Sequence, residues 1–185
     1  GFGETPLETG LEYTSAWLRA MEVAKSLPHT LSFGDSHARN LFPFGSETVG
    51  IDWASLANDP VGCDIGVLIG SPLSFTSGEI QFTAQNERAI YDSYIEGLTS
   101  SGWTGNLDYV RLGFFMHFSA YVLYQSSIPI RLEEIKANDE DRARFEKRYG
   151  APVDEFPELS SQVAALIPKY AEELKLLLKR VEDSL

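Results

Sequence analysis

Asp35 and Asn40 stand five residues apart in the stretch Ser32-Phe33-Gly34-Asp35-Ser36-His37-Ala38-Arg39-Asn40, and Asp52 closes the short apolar run Val49-Gly50-Ile51 twelve residues after Asn40. An acid and an amide on one loop, followed by a second acid at the end of a short strand, are the donors that hold magnesium beside a phosphoryl-transfer site. Mg²⁺ takes hard oxygen ligands, keeps several waters and shares the phosphates of its substrate. Moving a γ-phosphoryl group to a hydroxyl asks for little covalent chemistry; it needs an oriented nucleophile and neutralised phosphate charge. Taken singly, each residue has a plainer role. Asp35 after Gly34, and Asn40, both suit turns. Asp52, ending an apolar run, needs a partner or a metal, because an unpaired buried charge is costly.

The elements that must position these residues are short strands and long helices. Thr9-Gly10-Leu11-Glu12 has the spacing of a capping box, and Leu11, Trp17, Leu18, Met21, Ala24 and Leu27 recur near helical period up to Pro28, which predicts an amphipathic helix under the loop. Thr30 to Phe33, Leu41 to Phe44 and Thr48 to Ile51 read as small strands, the last two joined as a hairpin through Gly45 and Ser46. Asp59-Pro60 suits a helix cap followed by Pro at the first helical position, opening the apolar helix Val61 to Ile69. Further helices are expected from a capping box at Thr76-Ser77-Gly78-Glu79 through Leu98, over Leu107 to Tyr124, over Asn138 to Tyr149 and over Glu158 to Leu185, the last broken or kinked at Pro168. Thr99 to Gly105 reads as a loop, and Ile128 to Ala137, containing Pro129, as a partly extended connector.

Three motifs in order within about thirty residues resemble the phosphotransferase family of aminoglycoside and choline kinases: Gly34-Asp35 through Asn40, Val49-Gly50-Ile51-Asp52-Trp53, and Asn58-Asp59-Pro60-Val61-Gly62-Cys63-Asp64-Ile65. The resemblance implies a mainly α fold with a small β-hairpin near the catalytic loop, the C-terminal large lobe of a protein-kinase-like fold, with residues 1–185 forming a single domain. It implies that Asp35 orients the acceptor hydroxyl and accepts its proton, while Asn40 and Asp52 bind Mg²⁺ and through it ATP. Asp64, on an apolar helix turn, should accept hydrogen bonds from backbone amides; the resemblance implies that those amides belong to the catalytic loop. Phe33 departs from the family's usual His, so an aromatic packing contact is expected in place of that hydrogen bond. Arg39 occupies a place often held by a small residue, and could pair with Asp35, meet a substrate oxygen or point to solvent.

Other residues carry blander expectations. Asp59 is read as a helix cap, His37 as a structural hydrogen-bonding residue, His117 as a satisfied core histidine and His29 as a loop residue. In the family, substrate recognition usually falls to the helices after the metal-binding strand. Tyr91, Asp92, Tyr94, Glu96, Trp103, Glu133, Glu134, Asp139 and Asp141 are candidates there for holding a polycationic or hydroxyl-rich ligand, against core or solvated surface as the alternative.

The bulk numbers agree with this class. The 185 residues are 43% hydrophobic, enough for one sizeable core, and the net charge of −12 argues against a nucleic-acid surface, which needs a basic stripe. An acidic face attracts cationic small molecules. The single cysteine, Cys63, lies in an apolar segment and is expected as a buried thiol in a reducing compartment. With no leader and no membrane-length apolar run, a cytoplasmic protein with no membrane partner is expected. Kinase-like enzymes carry a nucleotide-covering lobe before this motif, and thirty-four residues do not hold one. The chain is therefore expected to depend on a missing N-terminal lobe and to be inactive without it, with a hydroxylated small molecule as acceptor. Two alternatives stand beside this: a non-catalytic kinase-like scaffold, and a metal-dependent phosphoesterase suggested by the Asp-x-His form of Asp35-Ser36-His37. The phosphoesterase would need further ligands downstream.

Overall fold

The stretch from Leu107 onward, apolar on most faces, becomes a 30-residue helix around which the other elements are arranged. The structure is a computed structural model and describes residues 6–74, 84–150 and 152–185. In chain order the elements are α1 (Pro6–Ala24), β1 (His29–Ser32), β2 (Leu41–Phe44), β3 (Glu47–Gly50), β4 (Ala57–Pro60), α2 (Cys63–Gly70), α3 (Ala84–Ser100), α4 (Leu107–Lys136), α5 (Asp139–Tyr149), α6 (Phe156–Ala164) and α7 (Ile167–Glu182). The fold is mainly helical with a small antiparallel hairpin, β2–β3, in the register Leu41↔Gly50 to Phe44↔Glu47. A second antiparallel pair joins β1 to β4, His29↔Pro60 to Ser32↔Ala57. No helix among the described residues is long and apolar enough to cross a membrane.

Val110, Leu112, Phe114, Phe115, Phe118 and Val122 are all buried, so α4 is covered on several sides at once, by α1, α2, α6 and α7. Phe114 stacks on Phe118 at 4.7 Å between ring centroids, and Tyr170 of α7 meets Phe118 edge-on at 4.8 Å. α2 lies close against α4: a Cβ on Gly66 would lie 2.3 Å from the Phe114 carbonyl oxygen. Only glycine permits that contact. A smaller cluster of Ile128, Leu132, Tyr149, Val153 and Phe156 closes the far end of α4 against α5 and α6.

Several expectations are corrected. Asp59 and Pro60 belong to strand β4, not to a helix cap; α2 starts at Cys63 after Gly62. Pairing with β1 outweighs the local Asp-Pro signal there. Ile128 to Ala137 is helical through Lys136 rather than extended. Pro129 costs the helix a backbone hydrogen bond, but burial of Ile128 and Leu132 in the second cluster offsets the loss. α1 begins at Pro6, ahead of the capping box, and buries Tyr13, Ala20, Val23 and Ala24 while Leu11, Leu18 and Met21 are exposed. It packs on α7 and α4 rather than under the loop. The capping box at Thr76 to Glu79 lies outside the described residues.

Other expectations hold. α5 is capped by Asn138, whose Oδ1 accepts from the amides of Glu140 at 2.9 Å and Asp141 at 3.1 Å, and it ends at Gly150 in left-handed conformation. Pro168 begins α7 in its first turn. Cys63 is buried, which pushes its thiol up to about 12, with Asp59 and Asp64 adding to the effect.

Candidate active site

The loop from Ser32 to Asn40 leaves β1, passes through a short 3-10 turn at Ala38–Asn40 and enters β2. Its first half is tied to α2 by one carboxylate. Asp64 Oδ1 accepts from the Ser32 hydroxyl at 2.9 Å and the Gly34 amide at 3.1 Å, and Oδ2 accepts from the Phe33 amide at 3.2 Å. The Ser36 hydroxyl donates to the Asp64 carbonyl at 2.7 Å. Asp64 thus receives loop backbone amides, as anticipated, and a buried-side carboxylate finds the donors it requires. Gly34 has φ +74°, and a Cβ there would stand 2.2 Å from the Ser55 carbonyl oxygen, so the turn demands glycine.

Phe33 is buried and packs against Trp53, with ring centroids 4.3 Å apart. The aromatic contact expected at this position is therefore present. Trp53 is anchored in turn by a hydrogen bond from Nε1 to the Gly50 carbonyl at 2.8 Å. This pair fixes the residue before Trp53. Asp52 has φ 63° and ψ 57°, the one non-glycine residue with positive φ among the described residues. Asp tolerates the left-handed region better than most residues, but such outliers concentrate at functional sites.

The second half of the loop brings Asp35 and Asn40 together. Asn40, 7% exposed, donates from Nδ2 to Asp35 Oδ2 at 2.9 Å and to the Asp35 carbonyl at 3.1 Å. His37 Nε2 lies 3.4 Å from Asp35 Oδ1. His37 thus stands within ion-pairing distance of Asp35 but makes no hydrogen bond among the described residues, and its Nδ1 is buried with no partner among them. The Asn40 carbonyl accepts from the Ile51 amide at 3.0 Å, so Asn40 and Asp52 flank the open end of the β2–β3 hairpin. The three predicted site residues therefore occupy one neighbourhood: Asp35 and Asn40 in direct contact, Asp52 across the hairpin base.

Asp35 faces a cavity of about 520 Å³ whose wall includes Arg39, His117, Tyr121, Tyr124 and Arg148. The sequence alone does not place His117, Tyr121, Tyr124 or Arg148 at the site. His117 is half-buried here and lines the cavity instead of filling the core. Residues 117, 121 and 124 fall on one helical face, and each carries a polar tip within the largely apolar stretch Leu112 to Tyr124. Burial, and then the charge of Asp35, holds the Tyr121 hydroxyl above its usual range, which keeps it a neutral donor. The aromatic and acidic candidates Tyr91, Asp92, Tyr94, Glu96, Trp103, Glu133, Glu134, Asp139 and Asp141 do not line this cavity. Asp92 pairs with Arg88, and Tyr94 lines a separate cavity between α2 and α3. His29 opens β1, with Nδ1 2.7 Å from the Leu27 carbonyl oxygen.

No protein-family model, curated protein or solved structure matches the chain. What the site can do therefore follows from its own donors and acceptors. The Asn40 Nδ2 is committed to Asp35, which leaves its amide oxygen without a donor among the described residues. The exposed Asp52 carboxylate makes no hydrogen bond or ion pair among them. No group of three or more His, Cys, Asp or Glu side chains among the described residues is arranged to hold a metal. A cation here would take one amide and one carboxylate oxygen from the chain and complete its shell with phosphate and water. Magnesium accepts that donor set.

Proposed function

We propose that the chain is the C-terminal lobe of an ATP-dependent phosphotransferase of the aminoglycoside and choline kinase type, moving a γ-phosphoryl group to a hydroxyl of a small molecule. The observation that carries this is the hydrogen bond between Asp35 and Asn40 at the mouth of a ligand-sized cavity, with Asp52 at the other side of the hairpin base. Asp35 has a side chain 34% exposed, so it is open to an acceptor hydroxyl and still held in place by Asn40.

In this role Asp35 accepts the hydroxyl proton as the acceptor oxygen bonds to the γ-phosphorus and the bond from that phosphorus to the bridging oxygen breaks, releasing ADP. Asn40 holds Asp35 in orientation through Nδ2 and offers its amide oxygen to Mg²⁺; Asp52 offers a carboxylate. The bound ion would neutralise charge on the transferring phosphates. Asp64 acts through the loop backbone and touches no substrate.

The hairpin supports a second part of the proposal, a nucleotide-binding lobe packed over it. Phe44 is 72% exposed, Trp53 54%, and Phe42, Val49 and Ile51 beside them are also exposed. Apolar side chains gathered on one small hairpin are the kind of surface that another body covers.

Calorimetric titration of Mg²⁺·ATP into the full-length protein tests the metal and nucleotide roles. Binding that requires Mg²⁺ and weakens about tenfold or more in Asp52→Asn is the expected result, the scale of one charge-assisted ligand. Nucleotide binding indifferent to both the metal and Asp52 would remove the proposal's support.

A further inference from the structure

The cavity beside Asp35 has a charge unlike that of the rest of the chain. The sequence holds 27 acids against 15 Lys and Arg, yet among the described residues the only acid on this cavity wall is Asp35 itself, while Arg39 and Arg148 both line it, with His37 and His117 beside them. We infer that the acceptor is an anionic hydroxy compound, carrying a carboxylate or phosphate group a few bonds from the hydroxyl, and that Arg148 receives that group. The inference rests on the phosphotransferase proposal for the fate of the hydroxyl, but the charge preference of the cavity does not.

The exposed Arg148 has its backbone placed at the cavity by the architecture around it. It sits in the last turn of α5, whose start is fixed by the Asn138 cap. Its neighbour Tyr149 is buried in the second apolar cluster, and the Tyr149 hydroxyl is hydrogen-bonded to that of Tyr124 on α4. Arg148 makes no ion pair among the described residues; its guanidinium lies 5.6 Å from the centre of the Tyr149 ring. The planar fork of an arginine matches carboxylate and phosphate oxygens in pairs. His117 makes no hydrogen bond among the described residues and stands on the same wall, one helical turn from Tyr121.

The two signs also orient the ligand. An anion entering the cavity is repelled by Asp35 and attracted to Arg148, which leaves the uncharged hydroxyl end facing Asp35. A cationic acceptor would be drawn toward Asp35 and repelled by Arg148, and is expected to bind this cavity more weakly. The acidic bulk of the chain, which by composition alone favours cationic ligands, is therefore a misleading guide to this cavity.

Two matched series test this with the full-length protein: glycerate, glycerol 3-phosphate, glycerol and 3-amino-1,2-propanediol, then gluconate, glucose and glucamine. Each is titrated without nucleotide by calorimetry, and then offered with Mg²⁺ and ATP while phosphorylated product is read by mass. Within at least one series the anion should bind about tenfold tighter than the neutral compound and the ammonium compound weakest, the scale of one charge-assisted hydrogen bond at a half-exposed site. Arg148→Gln should remove that preference and leave neutral binding unchanged, whereas Arg148→Lys should keep part of it; circular dichroism confirms that α5 is intact in both. The glycerate and glycerol 3-phosphate arms separate a carboxylate from a phosphate site. Anion binding that depends on Arg148 without any transfer would uphold the anion site at Arg148 and count against both the acceptor role and the phosphotransferase proposal. Transfer to the ammonium compounds in preference, or no charge preference in either series, would overturn the inference; transfer alone would leave the phosphotransferase proposal standing.

Discussion

Asp64 offers the sharpest test of how the loop is held, and the test needs no assumption about activity. Its carboxylate accepts from three donors: the Ser32 hydroxyl, the Phe33 amide and the Gly34 amide. Ser32 is 1% and Phe33 7% exposed, so water cannot readily replace the lost acceptor. The Gly34 amide keeps a second acceptor, the Ser32 hydroxyl oxygen at 3.2 Å. Two donors are thus left without partners in Asp64→Ala, and at about 1.5–3 kcal/mol for each hydrogen bond to a charged group the loss comes to about 3–6 kcal/mol. Asp64→Asn keeps one acceptor oxygen and should lose about 1–2 kcal/mol. Urea denaturation followed by circular dichroism gives both values from the shift in midpoint at constant slope. If the loop opens separately from the core, faster amide exchange at Phe33 and Gly34 reports the same loss locally. An Asp64→Ala protein within about 1 kcal/mol of wild type, with unchanged exchange at both amides, would mean that this carboxylate does not hold the loop.

Further outcomes follow from the same structure. Gly34→Ala should lose about 2–4 kcal/mol, combining a left-handed φ with a Cβ pressed on the Ser55 carbonyl, and its unfolding temperature should fall accordingly. Glu87, 5% exposed, accepts from Arg111 at 2.8 Å and from the Tyr170 hydroxyl; Glu87→Ala should lose about 3–5 kcal/mol in urea, and a loss below about 1 would contradict a buried ionic role. The Cys63 thiol is pushed up to about 12 by burial, then by Asp59 and Asp64, so the folded protein keeps its proton while the unfolded chain begins to ionise near pH 8.5. This contribution is fully present below about pH 8.5 and is lost at about 1.4 kcal/mol per pH unit as the pH rises toward 12. Urea midpoints between pH 8 and 11 should fall less steeply in Cys63→Ala, and identical slopes would contradict the burial argument.

The local parts of the site were legible in the sequence because they rest on short spacings. A five-residue interval on one loop brought Asn40 onto Asp35, and Gly45-Ser46 set the turn of the β2–β3 hairpin. Asp64 on an apolar helix had to find donors, and Phe33 in place of a polar residue had to find a packing partner; the loop amides and Trp53 are those partners. What stayed hidden depends on contacts distant in sequence. The β1–β4 pairing turned Asp59-Pro60 from a cap into a strand end, and packing of Ile128 and Leu132 carried α4 through Pro129. The buried face of α1 follows Tyr13, Ala20, Val23 and Ala24, a series with the right period that Leu11 and Leu18 obscured by being more apolar. The cavity wall joins α4 to the last turn of α5, and no local pattern announces that Arg148 faces Asp35.

The role proposed for Asp35, accepting a proton during phosphoryl transfer, is tested by one comparison: product formation by the full-length protein and by Asp35→Asn, with Mg²⁺, ATP and the acceptor series, read by mass. Phosphorylated acceptor is expected from the wild type and a rate lower by about 10²–10⁴ in Asp35→Asn, with Mg²⁺·ATP affinity changed by no more than about twofold. Transfer that survives the substitution at full rate would contradict that role.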